Sequence, residues 1–364
     1  MLDLSTDVIV KIFYYLTSLD VEELLGKLDQ IDVHHPHPQV KTLRLYAYGR
    51  LYQGKIVIYS NKYKGVHSTH DAVMKINDFS QKFNVGTVPS DHPSSALEDE
   101  ILRSSRPHHI AFNFIREPTD YVTFVKDLTT FSHILDSKDK VLRNYLQSVC
   151  QTDVCINGKA IVVEPTTSFL TSVLKVLISL SNTDPSSHIF CEKLTELTIQ
   201  STDIGQYFSK QWGTLFSRFK NVKILNLSDN LIGSGNFSED GSDIIGSHFQ
   251  WPPGLIELDL SNNFIDRISS QFIDNLPPTL QILSLNNNSI RSVGIDDEDM
   301  FHIFSLPSLR ILELCDNNRL VIFNPEVLNN CDANFEQLRI LRCNITNLSD
   351  LKVAASQNKF TLAC

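Results

Sequence analysis

One spacing of leucines and asparagines recurs through the C-terminal half of this 364-residue chain and decides most of what it can fold into. It reads Val222-Lys-Ile-Leu225-Asn-Leu227-Ser-Asp-Asn230-Leu-Ile232, then Leu255-Ile-Glu-Leu258-Asp-Leu260-Ser-Asn-Asn263-Phe-Ile265. It returns as Leu280-Gln-Ile-Leu283-Ser-Leu285-Asn-Asn-Asn288-Ser-Ile290 and Leu309-Arg-Ile-Leu312-Glu-Leu314-Cys-Asp-Asn317. A shortened copy, Leu338-Arg-Ile-Leu341-Arg-Cys343, closes the series, and a degenerate one, Leu194-Thr-Glu-Leu197-Thr-Ile199, opens it with Thr202 in place of the asparagine. Alternation at Leu225 and Leu227 is strand periodicity with one face turned inward. An asparagine where the chain leaves the strand can satisfy backbone groups of neighbouring coils. One coil cannot bury its own apolar edge, whereas stacked coils bury a continuous one.

These copies resemble the leucine-rich repeat, L-x-x-L-x-L-x-x-N-x-L. The resemblance implies an α/β solenoid, with a curved parallel sheet on its concave side and helices or irregular segments on its convex side. Starts at 194, 222, 255, 280, 309 and 338 lie 28, 33, 25, 29 and 29 residues apart, long enough for a convex helix. Pro252-Pro253, Pro277-Pro278 and Pro307 precede first leucines and fix the turn into each strand. The stretch Gly233 to Ser242 reads as an inserted loop.

With 42% apolar and 20% charged residues the chain is expected to fold. Acidic residues (42) exceed basic ones (32), and no dense Lys/Arg run tracks phosphates, so nucleic acid is not an expected partner. Seven cysteines without metal spacing point to a reducing compartment, hence cytoplasm or nucleus. Cys315 and Cys343 are expected inside repeat strands as small apolar residues. The acidic start lacks the form of a secretory signal, and Val8 to Leu16 is too short to span a bilayer, so no membrane association is expected.

Near the N-terminus, Val8, Ile12 and Leu16 lie four apart, with Ile9 and Phe13 widening the stripe on one helical face. After a break at Thr17-Ser18, Val21, Leu24, Leu25 and Leu28 begin a second helix. Leu4, Val8, Ile12, Phe13, Leu16, Asp20 and Val21 resemble the F-box pattern, although Ser5 replaces its usual proline and no Trp follows the second helix. The whole chain then looks like a divergent, fungal-type F-box protein with leucine-rich repeats. That resemblance implies docking of a Skp-type adaptor by Leu4, Val8, Ile12, Phe13 and Leu16, and through it a cullin. The other reading of these helices is a cap that seals the first coil.

Four segments are expected: a helical element and Pro/His link over 1–38, divergent coils over 39–190, regular repeats over 191–348 and a C-terminal cap over 349–364. A separate α/β domain remains the alternative for the second. In it, strands are expected at Lys55–Tyr59, His109–Phe114 and Lys159–Val163, with helices at 40–52, near Asp71–Phe83, Asp120–Leu135 and Ser168–Leu180. Residues Val85 to Pro107 read as an exposed loop.

Phosphate-binding loops and nucleophile elbows are absent from the sequence, and His34, His35, His37, His108 and His109 lack a Cys or carboxylate at ligand spacing. No catalytic residue, metal or cofactor is therefore expected. The expected site is the concave face. One column there holds Ile224, Glu257, Ile282, Ile311 and Ile340; the other holds Asn226, Asp259, Ser284, Glu313 and Arg342. Apolar contacts rimmed by carboxylates suit a protein substrate carrying a basic patch. The family resemblance implies a non-catalytic substrate-recognition subunit of an SCF-type ubiquitin ligase. The alternative is a repeat scaffold or regulatory subunit with no ubiquitin-related role.

Overall fold

The computed structural model describes residues 6–32, 38–52, 54–60, 71–83, 107–115, 121–158, 167–181, 192–207, 214–233, 249–294 and 303–364. The chain divides into two compact units, Met1–Val154 with Pro185–Lys193, and Cys155–Asp184 with Leu194–Cys364. Leu4, the histidines at 34, 35 and 37, the strand expected at 159–163 and most of the expected loops at 85–107 and 233–242 lie outside the described residues.

The first unit opens with α1 (Thr6–Tyr15), α2 (Ser18–Asp32) and α3 (Pro38–Tyr52). The break between the first two is a capping box. Thr17 Oγ1 accepts the Asp20 N–H at 3.1 Å, and the Asp20 carboxylate accepts the Thr17 hydroxyl at 2.6 Å and the Thr17 N–H at 2.9 Å, which together hold that carboxyl below its ordinary pKa. Val21, Leu25 and Leu28 point inward, as their spacing requires. Strands β1 (Lys55–Tyr59), β2 (Ala72–Lys75) and β3 (His109–Ile115) follow, with β1 paired in parallel to both β2 and β3. Ile56, Val57 and Ile58 are buried in succession because both faces of β1 are covered.

The helix expected near Asp71–Phe83 is instead β2 followed by α4 (Ile76–Lys82), since Ala72 to Lys75 pair with β1 from Ile56 to Tyr59. Next come α5 (Tyr121–Leu135), α6 (Lys140–Ser148) and β4 (Gln151–Asn157). The last two were not anticipated. Asp139 caps α6 by accepting the Leu142 N–H at 2.8 Å, and β4 alternates buried Thr152, Val154 and Ile156 with polar neighbours.

The second unit contains α7 (Thr167–Leu180), then β5 (Leu194–Gln200), β6 (Ile224–Asn226), β7 (Glu257–Asp259), α8 (Ser270–Asp274) and β8 (Ile282–Ser284). It continues through β9 (Ser292–Val293), β10 (Ile311–Glu313), β11 (Ile322–Phe323), β12 (Gln337–Arg339), α9 (Leu348–Asn358) and β13 (Thr361–Ala363). Its parallel sheet runs β5-β6-β7-β8-β10-β12-β13, with β9 and β11 forming a small second sheet. Leu197, Leu225, Leu258, Leu283, Leu312 and Leu338 face one another across consecutive strands and are fully buried. Away from the strands the coils close mostly through 3-10 turns rather than helices. An aromatic row there sets Phe304 edge-to-face against Phe335 at 5.2 Å and Phe335 against Phe360 at 5.1 Å.

The asparagines behave as their positions demand. Asn263 Oδ1 accepts the N–H groups of Asn230 and Ile232, both at 3.0 Å, while its amide donates to Leu227 O at 3.1 Å and Leu260 O at 2.9 Å. Asn288 accepts from Ile265 N and donates to Leu260 O; Asn317 accepts from Ile290 N and donates to Leu285 O. Asn230 bonds the Thr202 N–H and hydroxyl, so Thr202 does occupy the ladder position of the first coil. The residue before each ladder position has positive φ: Ser201, Asp229, Asn262, Asn287, Asp316 and Arg342. Asn and Asp tolerate that left-handed region best, which explains their frequency there.

That column exposes a register difference in the last repeat. Cys343, not a residue three places later, follows the left-handed Arg342 and donates through its thiol to Leu314 O at 3.1 Å, as the ladder asparagines do. The rung therefore begins at Phe335, with Leu338 opposite Leu312. From Val222 on, each first apolar residue is entered through a turn in which its N–H reaches back three residues, to Phe219 O, Pro252 O, Pro277 O, Leu306 O or Asp332 O. Proline follows the first residue of that turn in three copies, a position it favours, whereas Lys220 holds it in the first of these turns and Ala333 in the last.

Candidate protein-interaction face

Residues flanking each buried leucine of a strand point away from the core, and strand pairing sets them in rows. One row is Glu196, Ile224, Glu257, Ile282, Ile311 and Gln337; the second is Thr198, Asn226, Asp259, Ser284, Glu313 and Arg339. Eight of the ten residues expected on this face are there. The other two are not, because the last repeat is shifted by three residues. Ile340 turns inward and is buried, and Arg342 lies in the turn beyond β12, ion-paired with Asp316. Gln337 and Arg339 take their places, since phenylalanine at the first leucine site and cysteine at the asparagine site hid the register of this rung. The isoleucines are half-buried rather than exposed, because neighbouring rungs stand about 4.8 Å apart and shield one another.

The second row is a chain of polar contacts. Asn226 donates to Asp259 at 3.1 Å and accepts from the Ser228 N–H and hydroxyl; Asp259 also accepts the Ser261 N–H at 2.9 Å. Glu313 accepts from Ser284 Oγ at 2.6 Å, Asn286 Nδ2 at 2.9 Å and Arg339 Nη1 at 2.5 Å. Glu257 differs. Among the described residues its carboxylate has no hydrogen-bond or ion-pair partner. Partial burial, then the charges of Asp259 and Glu313, push its pKa up from the ordinary glutamate value.

A carboxyl with a raised folded-state pKa favours the fold below its unfolded pKa and disfavours it once pH rises past the folded one. Glu257→Gln is therefore expected to raise the melting temperature at pH 7. Scans at pH 3.5 and pH 7 check this: the gain should vanish at the lower pH, below the ordinary glutamate value of 4.5.

Stacked coils, a shared parallel sheet and an asparagine ladder bonding coil to coil decide the nature of this face. These are leucine-rich repeats. No family model matches the chain. A curated relative, mouse Toll-like receptor 9, is 32% identical over 103 residues, 28% of this chain. The match spans only 9% of that receptor. The mouse RP105/MD-1 complex aligns over 84% of this chain and 58% of its own at 15% identity, TM-score 0.30. A leucine-rich-repeat protein of Leptospira interrogans aligns over 73% and 92% at 12% identity, TM-score 0.27. At such scores neither structure adds to the geometry of the leucine-rich-repeat face.

In the N-terminal helices, Val8, Ile12 and Tyr15 share the outward side of α1, whereas Phe13 packs inward and Leu16 is half-buried. The exposed apolar set extends to Val10, Tyr14 and Leu19. His109 lies against Asp153 at 2.5 Å, and among the described residues no group of His, Cys, Asp or Glu side chains is placed to hold a metal ion. Burial pushes the Cys155 thiol up to about 11 and the Cys331 thiol up to about 12, so neither is a nucleophile at neutral pH. Neither expected strand cysteine lies in a strand: Cys315 is buried in the turn just past β10, and Cys343 sits in the ladder. No described helix is long and apolar enough to cross a membrane.

Proposed function

We propose that this chain is a non-catalytic recognition subunit of an SCF-type ubiquitin ligase, acting in the cytoplasm or nucleus. Its N-terminal helices dock a Skp-type adaptor, and through it a cullin, while the leucine-rich-repeat face holds a protein substrate. One observation carries the adaptor half of this reading: the division of the α1 stripe. Phe13 is 4% exposed and serves the helices' own packing, whereas Val8 at 41% and Ile12 at 42% stand outside it together with Tyr15. An apolar stripe at i, i+4 and i+7 that a short helix leaves in water is the form a helix-docking partner recognises. The substrate half is supported by the sheet face, where isoleucines alternate with carboxylates beside a polar network.

Co-expression of the full chain with a Skp adaptor, followed by size exclusion, tests the docking mode. The wild type should co-elute with the adaptor, and Ile12→Asp should not. Because Ile12 is largely outside the core, its replacement should change stability by only about 0.5 kcal/mol. A folded Ile12→Asp chain that still co-elutes rejects this docking surface. If the wild type never forms the complex, the helices are a cap and the scaffold reading replaces this one.

A further inference from the structure

We infer that Glu257 is the seat for a lysine or arginine side chain of the protein partner, whose aliphatic stem lies against Ile224 and Ile282. This deepens, and rests on, the reading of the sheet face as the substrate-binding surface. Three observations meet at this residue. Strand register places Glu257 directly between Ile224 and Ile282, so a carboxylate is bracketed by two half-buried aliphatic side chains. Its acidic neighbours on the face are already engaged, Asp259 by Asn226 and Ser261, and Glu313 by Ser284, Asn286 and Arg339. Glu257 has no such partner among the described residues, and the one arginine of the adjacent row is committed to Glu313.

Lysine and arginine match this arrangement with both parts of the side chain. The methylene stem covers apolar surface while the charged head reaches a carboxylate at its end. A phosphorylated or acidic segment is repelled by the same group, with Asp259 and Glu313 adding to the field. The bound cation also removes the cost of an unpartnered, partly buried carboxylate. A position that weakens the free fold and strengthens the complex is a recognised signature of function held against stability. Glu257→Gln therefore separates the two roles. It stabilises the free chain and weakens the complex, whereas a merely structural residue would lose stability and binding together.

Selection of random displayed peptides on the full-length chain at physiological ionic strength supplies the probe. Enriched peptides should carry Lys or Arg beside Ile, Leu or Val. Their synthetic forms should bind Glu257→Gln roughly tenfold or more weakly. They should bind the control Asp350→Asn, on α9, as they bind the wild type. Peptides lacking basic residues, or binding Glu257→Gln undiminished, overturn the cation seat. If such peptides nevertheless lose affinity on Ile282→Asp, the face still binds protein and only the seat is wrong. If neither substitution matters, or no peptide is enriched, the substrate-binding reading of the sheet falls with it.

Discussion

Replacing Asn263 by alanine is expected to be among the most damaging single changes in the second unit. The side chain satisfies backbone groups in its own coil and in the coil before it, including the buried N–H groups of Asn230 and Ile232. Alanine leaves these groups in the interior with no water to replace the lost partner. At roughly 1–3 kcal/mol for each buried group left unpaired, the total is on the order of 3–5 kcal/mol. That is a large share of the usual folding margin of about 5–15 kcal/mol. The neighbouring Asn262 makes a useful contrast. It holds the left-handed turn position and bonds only Asn287, at the surface, so Asn262→Ala should cost far less. Paired urea melts of the two variants would show the difference. Equal, small losses would mean that the ladder does not tie the coils together.

The second large effect concerns the last repeat. Phe335→Ala should destabilise the chain by about 3–5 kcal/mol, because it removes a buried ring held between Phe304 and Phe360. Leu341→Ala should change stability by no more than about 0.5 kcal/mol, since Leu341 is 40% exposed. Read from the sequence, with Leu338 as first leucine and Leu341 as second, the expectation is reversed. Comparing the two melting temperatures therefore tests register directly.

The reason for that difference is physical rather than a failure of the pattern. In four copies the leucine spacing, the asparagine and the strand alternation agree, and strand pairing follows the sequence position by position. In the last copy phenylalanine fills the first leucine site and cysteine the asparagine site. The turn before it also lacks the proline found in the three copies that precede it. Leu338 and Leu341 then imitate the opening L-x-x-L by chance. The missing clue was local backbone geometry: Arg342 has φ of 58°, matching Asp316 and Asn287 in the coils before it.

Legibility falls again in the first unit. Strands β1 and β3 and helices α5 and α7 were readable from periodicity. The strand β2 was hidden inside a helical expectation because only its pairing with β1 fixes Ala72 to Lys75 as extended. On the interaction face the columns were legible, but the singular character of Glu257 was not. Sequence shows Glu257, Asp259 and Glu313 as equivalent acids. Only the surrounding hydrogen bonds distinguish the two that are satisfied from the one that is not.

Methyl-labelled leucine spectra of the full chain would test the stacking itself. If the repeats lie rung on rung, cross-peaks should connect Leu225 to Leu258, Leu258 to Leu283, Leu283 to Leu312 and Leu312 to Leu338, since adjacent parallel strands stand about 4.8 Å apart. A spectrum that lacks this chain of contacts, or that links Leu312 to Leu341 instead of Leu338, would contradict it.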